Sequence, residues 1–345
     1  MPIARWIRRL AIAGVLLCFI VVVLGAYVRL TAAGLGCPDW PGCYGHISPS
    51  GAAHSLQSQS AWPERPLETG KAWREMIHRY AAGTLATIIL AITVLAIRTR
   101  RQRLVKTGYA LALLATVLVQ ALLGMLTVTW QLKPLVVTLH LLFGMTTLGL
   151  LWWLLLSLPT GSWGRSAAGS TRRAIEGGAN SPFRAAWRLT LIGLLALGVQ
   201  IALGGWTSSN YADLACMDFP TCQGSLWPHA DFGQAFALHS AGNIDYEGGV
   251  LDNPARTAIH LTHRLGALLT TVALALAALF VLRRRGLQGA RLTAWALLAA
   301  LALQLVIGVS MVIKFFPLWL ATSHTAGAAL LLLATLAMLR HLSAR

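Results

Sequence analysis

Charge is scarce in this chain. Only 11% of its residues are Asp, Glu, Lys or Arg, where a soluble domain carries about 25%. That poverty excludes an ordinary soluble globular domain. Acids are the scarcer sign, 11 against 28 Lys and Arg. No nucleotide-binding or flavin fingerprint is visible, so the sequence nominates no dinucleotide as electron acceptor. No clear small-residue cleavage site follows the first apolar segment, which is therefore expected to stay as a span and not to be removed as a signal peptide.

Apolar residues fill the space that charge leaves. The hydrophobic fraction is 56% and the mean hydropathy is +0.64. Eight segments reach the ~20 residues that a bilayer requires: 10–29, 76–97, 107–130, 134–156, 189–207, 258–282, 292–313 and 317–339. With the N-terminus in the cytoplasm, the inner regions hold 19 of the 28 basic residues and a single acid, Glu176. The outer regions hold 9 basic and 10 acidic residues. The net charge of +17 is thus a statement of topology, with both termini cytoplasmic, and excludes a nucleic-acid partner. Lipid is the partner that this composition demands. Barrel strands are excluded because the segments are long and uniformly apolar.

One phrase occurs twice. Cys37-Pro-Asp-Trp-Pro-Gly-Cys43 returns 179 residues later as Cys216-Met-Asp-Phe-Pro-Thr-Cys222. Gly25 and Gly204 share that offset, while Gln120 and Gln304, Gly124 and Gly308, and His140 and His324 share one of 184. Each half has four spans, so both insert in the same direction. The expected fold is an all-α integral membrane protein, with eight transmembrane helices as two tandem pseudo-symmetric four-helix bundles. The expected divisions are an N-terminal half over 1–160, a Gly/Ser/Arg-rich cytoplasmic linker over 161–188, and a C-terminal half over 189–345.

Four histidines sit at matched depths. His78 and His263 enter from outside in the second and sixth spans, and His140 and His324 in the fourth and eighth. Each is expected roughly 5–10 Å below the outer helix ends. An ionisable group at that depth is costly and marks function by default. Facing imidazoles at one height can hold a haem iron from both sides, and a non-haem metal or copper is the alternative. Gly83, Gly144 and Gly266 join the repeated glycines in letting a flat cofactor or a neighbouring helix come close. Glu75 lies one turn before His78, whereas the equivalent position in the second half is His260. A carboxylate in one half only suggests one working site and one structural or electron-storing site. Arg79 and Arg264 follow the histidines and can meet haem propionates or lipid headgroups.

The cysteine pairs Cys37/Cys43 and Cys216/Cys222 lie in the outer, oxidising compartment, where disulfides form. Zinc would need further ligands, His46 being the near candidate, and free thiols are the remaining reading. Cys18 reads as a small apolar core residue. His54, His229 and His239 in the outer loops carry no assignment.

Taken together, Glu75-x-x-His78-Arg79, His140, His263-Arg264, His324 and the two C-x5-C loops resemble the haem A synthase family. These are bacterial relatives of the mitochondrial cytochrome oxidase assembly enzyme. The stretches Gly34–Pro41 and Leu251–Arg256 also look like that family. The resemblance implies oxidation of the C8 methyl of haem O to a formyl group by two hydroxylations and loss of water, giving haem A for terminal oxidases. It implies haem b on His263 and His324, substrate haem O near His78 and His140, and Glu75 as the catalytic carboxylate. It further implies a bacterial inner-membrane location, with a haem O synthase and terminal oxidase assembly factors as partners. Homo-oligomerisation stays open. A di-haem quinone cytochrome or a haem carrier without chemistry are the competing readings.

Overall fold

Inside a bilayer no water is available to the backbone, so each spanning segment has to satisfy its own amides as a helix. The computed structural model describes residues 2–55, 60–102, 104–158, 182–238 and 244–343. Eight long apolar helices stand among them: α1 Pro2–Leu30, α2 Thr69–Arg98, α3 Thr107–Thr129, α4 Pro134–Ser157, α5 Pro182–Ser209, α6 Asn253–Arg283, α7 Arg291–Ile313 and α8 Leu318–Leu342. The described residues contain no strand. Most of the linker expected over 161–188 lies outside the described residues, and its last seven residues belong to α5.

Several helices outrun their apolar runs. α1, α2 and α6 begin 8, 7 and 5 residues before the hydropathy does. Polar first turns carry these helices beyond the apolar stretch. The start of α6 is fixed by Asp252, whose carboxylate accepts from Ala255 N at 3.1 Å, with Pro254 next to it in the first turn. His78 and His263 consequently lie about 13–15 Å along their helices, farther from the helix start than the apolar runs imply, while His140 and His324 lie about 9 Å along theirs.

Neighbour relations repeat between the halves. α1 packs on α2 and α4, and α3 on α2 and α4; α5 packs on α6 and α8, and α7 on α6 and α8. α1, α4, α5 and α8 make the contacts between the halves. One continuous apolar core runs through all of this, from Ile7 and Leu113 in one half to Leu274 and Met338 in the other. Leu118, Leu195 and Leu269 point outward and are exposed, as lipid-facing side chains should be. The indole of Trp152 donates to the Leu333 carbonyl at 2.9 Å, tying α4 to α8.

The turns also repeat in backbone detail. α3 ends with Gln131 and Leu132 at φ 47° and 61°, and α7 with Phe315 and Phe316 at φ 57° and 56°. Leu132 N donates to Thr127 O and Phe316 N to Met311 O, both at 2.8 Å. This is the six-residue closure that usually recruits glycine. Here bulky residues take the left-handed conformation in both copies.

The doubled phrase has a structural explanation. Cys37–Cys43 and Cys216–Cys222 are disulfides. Asp39 accepts from Tyr44 N at 2.6 Å and Gly45 N at 2.8 Å, and Asp218 accepts from Gln223 N at 2.7 Å and Gly224 N at 2.9 Å. The bonds from the Thr221 hydroxyl and from Gly224 N and Gln223 N hold the Asp218 carboxyl down at about 2, against 3.8 ordinarily. The stability that this carboxylate lends the turn is complete above the ordinary value and fades as pH falls through about 2.

The long loops cross between the halves. Arg65 reaches Asp245 at 2.5 Å and Glu247 at 2.6 Å, and Tyr246 N donates to Gln131 O at 3.1 Å. Exposed pairs are worth about 0–1 kcal/mol, so the shared apolar core dominates. The first loop also docks tightly: a Cβ on Gly36 would stand 2.7 Å from the Lys71 backbone carbon and 2.8 Å from Ala72 N. Gly36→Ala is expected to cost about 1–3 kcal/mol and to lower the thermal midpoint in detergent. Gly198→Ala, which meets open space in the interior of α5, should leave the midpoint equal or raise it. Equal midpoints for the two variants would refute this docking.

Candidate functional site: four glycine-seated imidazoles around one cavity

A cavity of about 1320 Å³ opens inside the helices and is lined from all eight of them. A pocket for one drug-sized ligand spans about 300–1,000 Å³, so this one has room for more. His78, His140, His263 and His324 all line it, and so does Glu75. Trp40 and Phe219, the aromatic residues of the doubled phrase, line it from the loops.

Each imidazole is seated on a glycine of the preceding helix. A Cβ on Gly25 would lie 3.1 Å from His78 Cε1, and one on Gly124 3.2 Å from His140 Cε1. The second half matches: Gly204 meets His263 Cε1 at 3.2 Å and Gly308 meets His324 Cε1 at 3.0 Å. The sequence signal was present in the repeated offsets of these glycines, but the neighbour each one accommodates is a ring and not a helix backbone. His263 and His324 face one another across the cavity with ring centroids 6.5 Å apart.

That spacing tests the fit of a metal between two rings. Metal–imidazole bonds of about 2.0–2.1 Å, with ring nitrogens about 1.1 Å from the centroid, put two axial imidazoles about 6.3 Å apart. The observed spacing, with the ring planes at 76°, leaves room for an iron between the two rings. Buried polar atoms without hydrogen bonds surround these rings: His78 Nδ1, His140 Nδ1 and the Oε1 atoms of Gln120, Gln200 and Gln304. Each such oxygen costs about 1–3 kcal/mol if left so. Among the described residues no three His, Cys, Asp or Glu side chains converge as a metal cluster.

The arginines do something the sequence did not disclose. Arg79 Nη1 donates to Asp39 O at 2.9 Å and to Gly42 O at 2.5 Å. Arg264 donates to Thr221 O at 2.8 Å and to Cys216 O and Asp218 O at 2.9 Å. Each guanidinium thus bolts a disulfide loop to the helix that carries a cavity histidine. Both arginines also line the cavity.

Glu75 is only 4% exposed. Its Oε1 pairs with Arg79 at 2.5 Å, and its Oε2 accepts from Cys37 N at 2.8 Å. His260, its counterpart, turns Nδ1 to the Ala212 carbonyl at 3.0 Å and packs edge-on against Phe316. Both residues tie a helix to its loop, but only one brings a carboxylate. Arg29 was not singled out by the sequence, because its counterpart in the repeat is Ser208. It hydrogen-bonds the Ser208 carbonyl, lies 3.9 Å from the Tyr211 ring centroid and joins the two halves above the cavity. Asp213 lies beside it; burial raises its carboxyl above the ordinary range, and Arg29 opposes that shift.

The fold and site define a polytopic helical membrane protein with paired histidines around an internal cofactor-sized cavity. The family model for cytochrome oxidase assembly proteins, COX15-CtaA, matches residues 8–336. A protein of Shewanella oneidensis named "Heme A synthase" is 41% identical over 95% of this chain and 93% of its own. One of the same name from a Caulobacter species is 28% identical over 96% and 93%. The chain belongs to the COX15-CtaA family of cytochrome oxidase assembly proteins.

Gly204→Ala and Gly308→Ala are expected to push His263 and His324 off their seats. Displacing a ring by ~30° costs about 0.5–1.5 kcal/mol, or about two- to tenfold in haem retention. Haem per protein, measured as the pyridine haemochromogen, checks this; full haem content in both variants would refute the seating.

Proposed function

We infer that the chain is a haem A synthase, an oxidoreductase of the bacterial inner membrane that converts haem O to haem A by oxidising the C8 methyl to a formyl group. The observation that carries the reading is the His263–His324 pair, spaced as axial ligands inside a cavity of a COX15-CtaA chain. Eight membrane-length helices support the location.

The halves divide the work. Residues 1–160 and 189–345 form two pseudo-symmetric four-helix bundles joined through 161–188, a reading supported by the repeating neighbour relations. The positive-inside charge distribution supports cytoplasmic termini and puts the disulfide loops outside. His263 and His324 hold a resident haem b. His78 and His140 hold the substrate haem O in the half that carries Glu75. Bound haem supplies the redox chemistry, and the residues of the chain supply everything around it.

Those residues hold, orient and shield. The glycine seats fix the four rings. The loops, bolted by Arg79 and Arg264 and closed by disulfides, cover the cavity and exclude water. Glu75 is the catalytic carboxylate, its Oε1 set by Arg79 and its Oε2 by Cys37 N. A fixed negative charge in that half stabilises positive charge that develops on the substrate, or holds a water near it. The reading takes a haem O synthase as the source of substrate and terminal oxidase assembly factors as recipients of product.

Co-expression with a haem O synthase and extraction of the pigments tests this. The unaltered chain should yield haem A, and Glu75→Ala should leave haem O with at least about a hundredfold less haem A, the size of a lost electrostatic stabiliser. Normal haem A from Glu75→Ala would remove the catalytic role. His263→Leu should bleach the low-spin haem b spectrum, and an unchanged spectrum would reject that ligand.

A further inference from the structure

The cavity reaches the lipid-facing surface between two helices in each half, and the two openings have different walls. Between α2 and α3, Gly83, Thr84 and Ala121 line the cavity and are exposed. A Cβ on Gly83 would meet nothing within 4 Å. The Thr84 hydroxyl donates to the Tyr80 carbonyl at 2.9 Å, so its polar atom is turned to its own helix and the wall stays apolar. Between α6 and α7, the offsets that relate His78 to His263 and His140 to His324 put Leu268, Leu269 and Leu305 at the same places. Leu268 and Leu305 line the cavity and are 62% and 38% exposed. Small residues thus border the opening in the half with Glu75, and branched apolar side chains border it in the other.

The opening lies where the apolar edge of a haem would come. Gly83 follows His78 by five residues on α2, and Ala121 precedes Gly124, the seat of His140, by three on α3. Both therefore lie about 5–8 Å from the level of the rings, on the side away from the disulfide loops. The propionates of a haem need cations or water, and Arg79 lines the cavity at the loop end. The apolar edge of the macrocycle then points the other way, toward Gly83 and Ala121. His78 and His140 line the same cavity, and the Nδ1 of each is buried without a hydrogen-bond partner. Haem O differs from haem b in carrying a long isoprenoid tail in place of a vinyl group. In a membrane protein that tail needs an apolar way out of the helices.

We propose that the gap between α2 and α3 seats the isoprenoid tail of the substrate haem and leads it to the lipid, and that Leu268 and Leu305 close the equivalent gap and reserve the second half for a haem without a tail. This rests on the haem-holding assignment above. Haem O and haem b share the macrocycle, the iron and both propionates. Paired histidines and flanking arginines, present in both halves, therefore do not tell them apart. The tail does, and the walls differ in volume where the tail would leave: Gly83, Thr84 and Ala121 against Leu268, Leu269 and Leu305. A lipid acyl chain is the competing occupant of the gap.

The haem composition of the full-length protein tests this. The protein is expressed with a haem O synthase and purified, and its extracted haems are separated by reverse-phase chromatography. Tailed haems, meaning haem O and its oxidised products, and haem b are counted per protein. The unaltered protein is expected to hold both. Gly83→Leu with Ala121→Leu copies the walls of the second half and should lower tailed haem about tenfold, equivalent to about 1.4 kcal/mol, while haem b stays at full content. Leu268→Ala with Leu305→Ala should do the reverse and let tailed haem replace part of the haem b. A second arm separates the tail from damage to the ring site. Protein made without the haem O synthase is titrated with haem O and with haem b, and the leucine variant should lose uptake of the first and keep that of the second. Tailed haem at full content in the leucine variant, the result if only a lipid acyl chain fills the gap, overturns the proposal. So does a leucine variant that takes up haem b as poorly as haem O. If the unaltered protein holds no tailed haem, the substrate assignment itself has failed, and not the gap.

Discussion

Everything at the centre of this molecule depends on an imidazole ring lying against a glycine. A ring needs space between two helices that would otherwise touch. Gly25, Gly124, Gly204 and Gly308 provide it, and the four Cε1 atoms stand 3.0–3.2 Å from where a Cβ would be. Each contact fixes a helix pair, α1 with α2, α3 with α4, and so on through α8. It also fixes where the rings point, which is into the cavity. The facing of His263 and His324 at 6.5 Å is the outcome of two such contacts. Without the glycines, the helices would pack as ordinary apolar neighbours or the rings would leave the cavity.

The loops complete what the helices begin. Asp39 and Asp218 close tight turns, the disulfides brace them, and Arg79 and Arg264 gather their carbonyls onto α2 and α6. The polar lid is therefore bonded to the same helices that present histidines. Glu75 belongs to this junction as much as to the cavity, since it accepts from Cys37 N while lining the interior. A carboxylate held from two sides is preorganised, and preorganisation is what makes a fixed charge effective in a dry site.

Much of this was legible in the residues. Eight spans followed from hydropathy because lipid leaves so few alternatives, and the four histidines stood out because ionisable groups inside a membrane are costly. Cys37/Cys43 and Cys216/Cys222, read as disulfides from their compartment, are so bonded. Helix starts were less legible: the polar first turns of α2 and α6 carry no hydropathy signal, so their histidines lie farther along the helices than the apolar runs implied. The work of Arg79 and Arg264 was hidden because carbonyl acceptors leave no trace in side-chain chemistry. The glycines were visible as repeated positions, but nothing in one dimension says that a glycine faces a ring.

The most direct measurement is an experimental density map of the protein isolated with its pigment. Planar, haem-sized density is expected between the His263 and His324 rings, with a second plane between His78 and His140 when haem O is supplied. Density placed away from these rings, or iron held by any other side chain, would contradict the account.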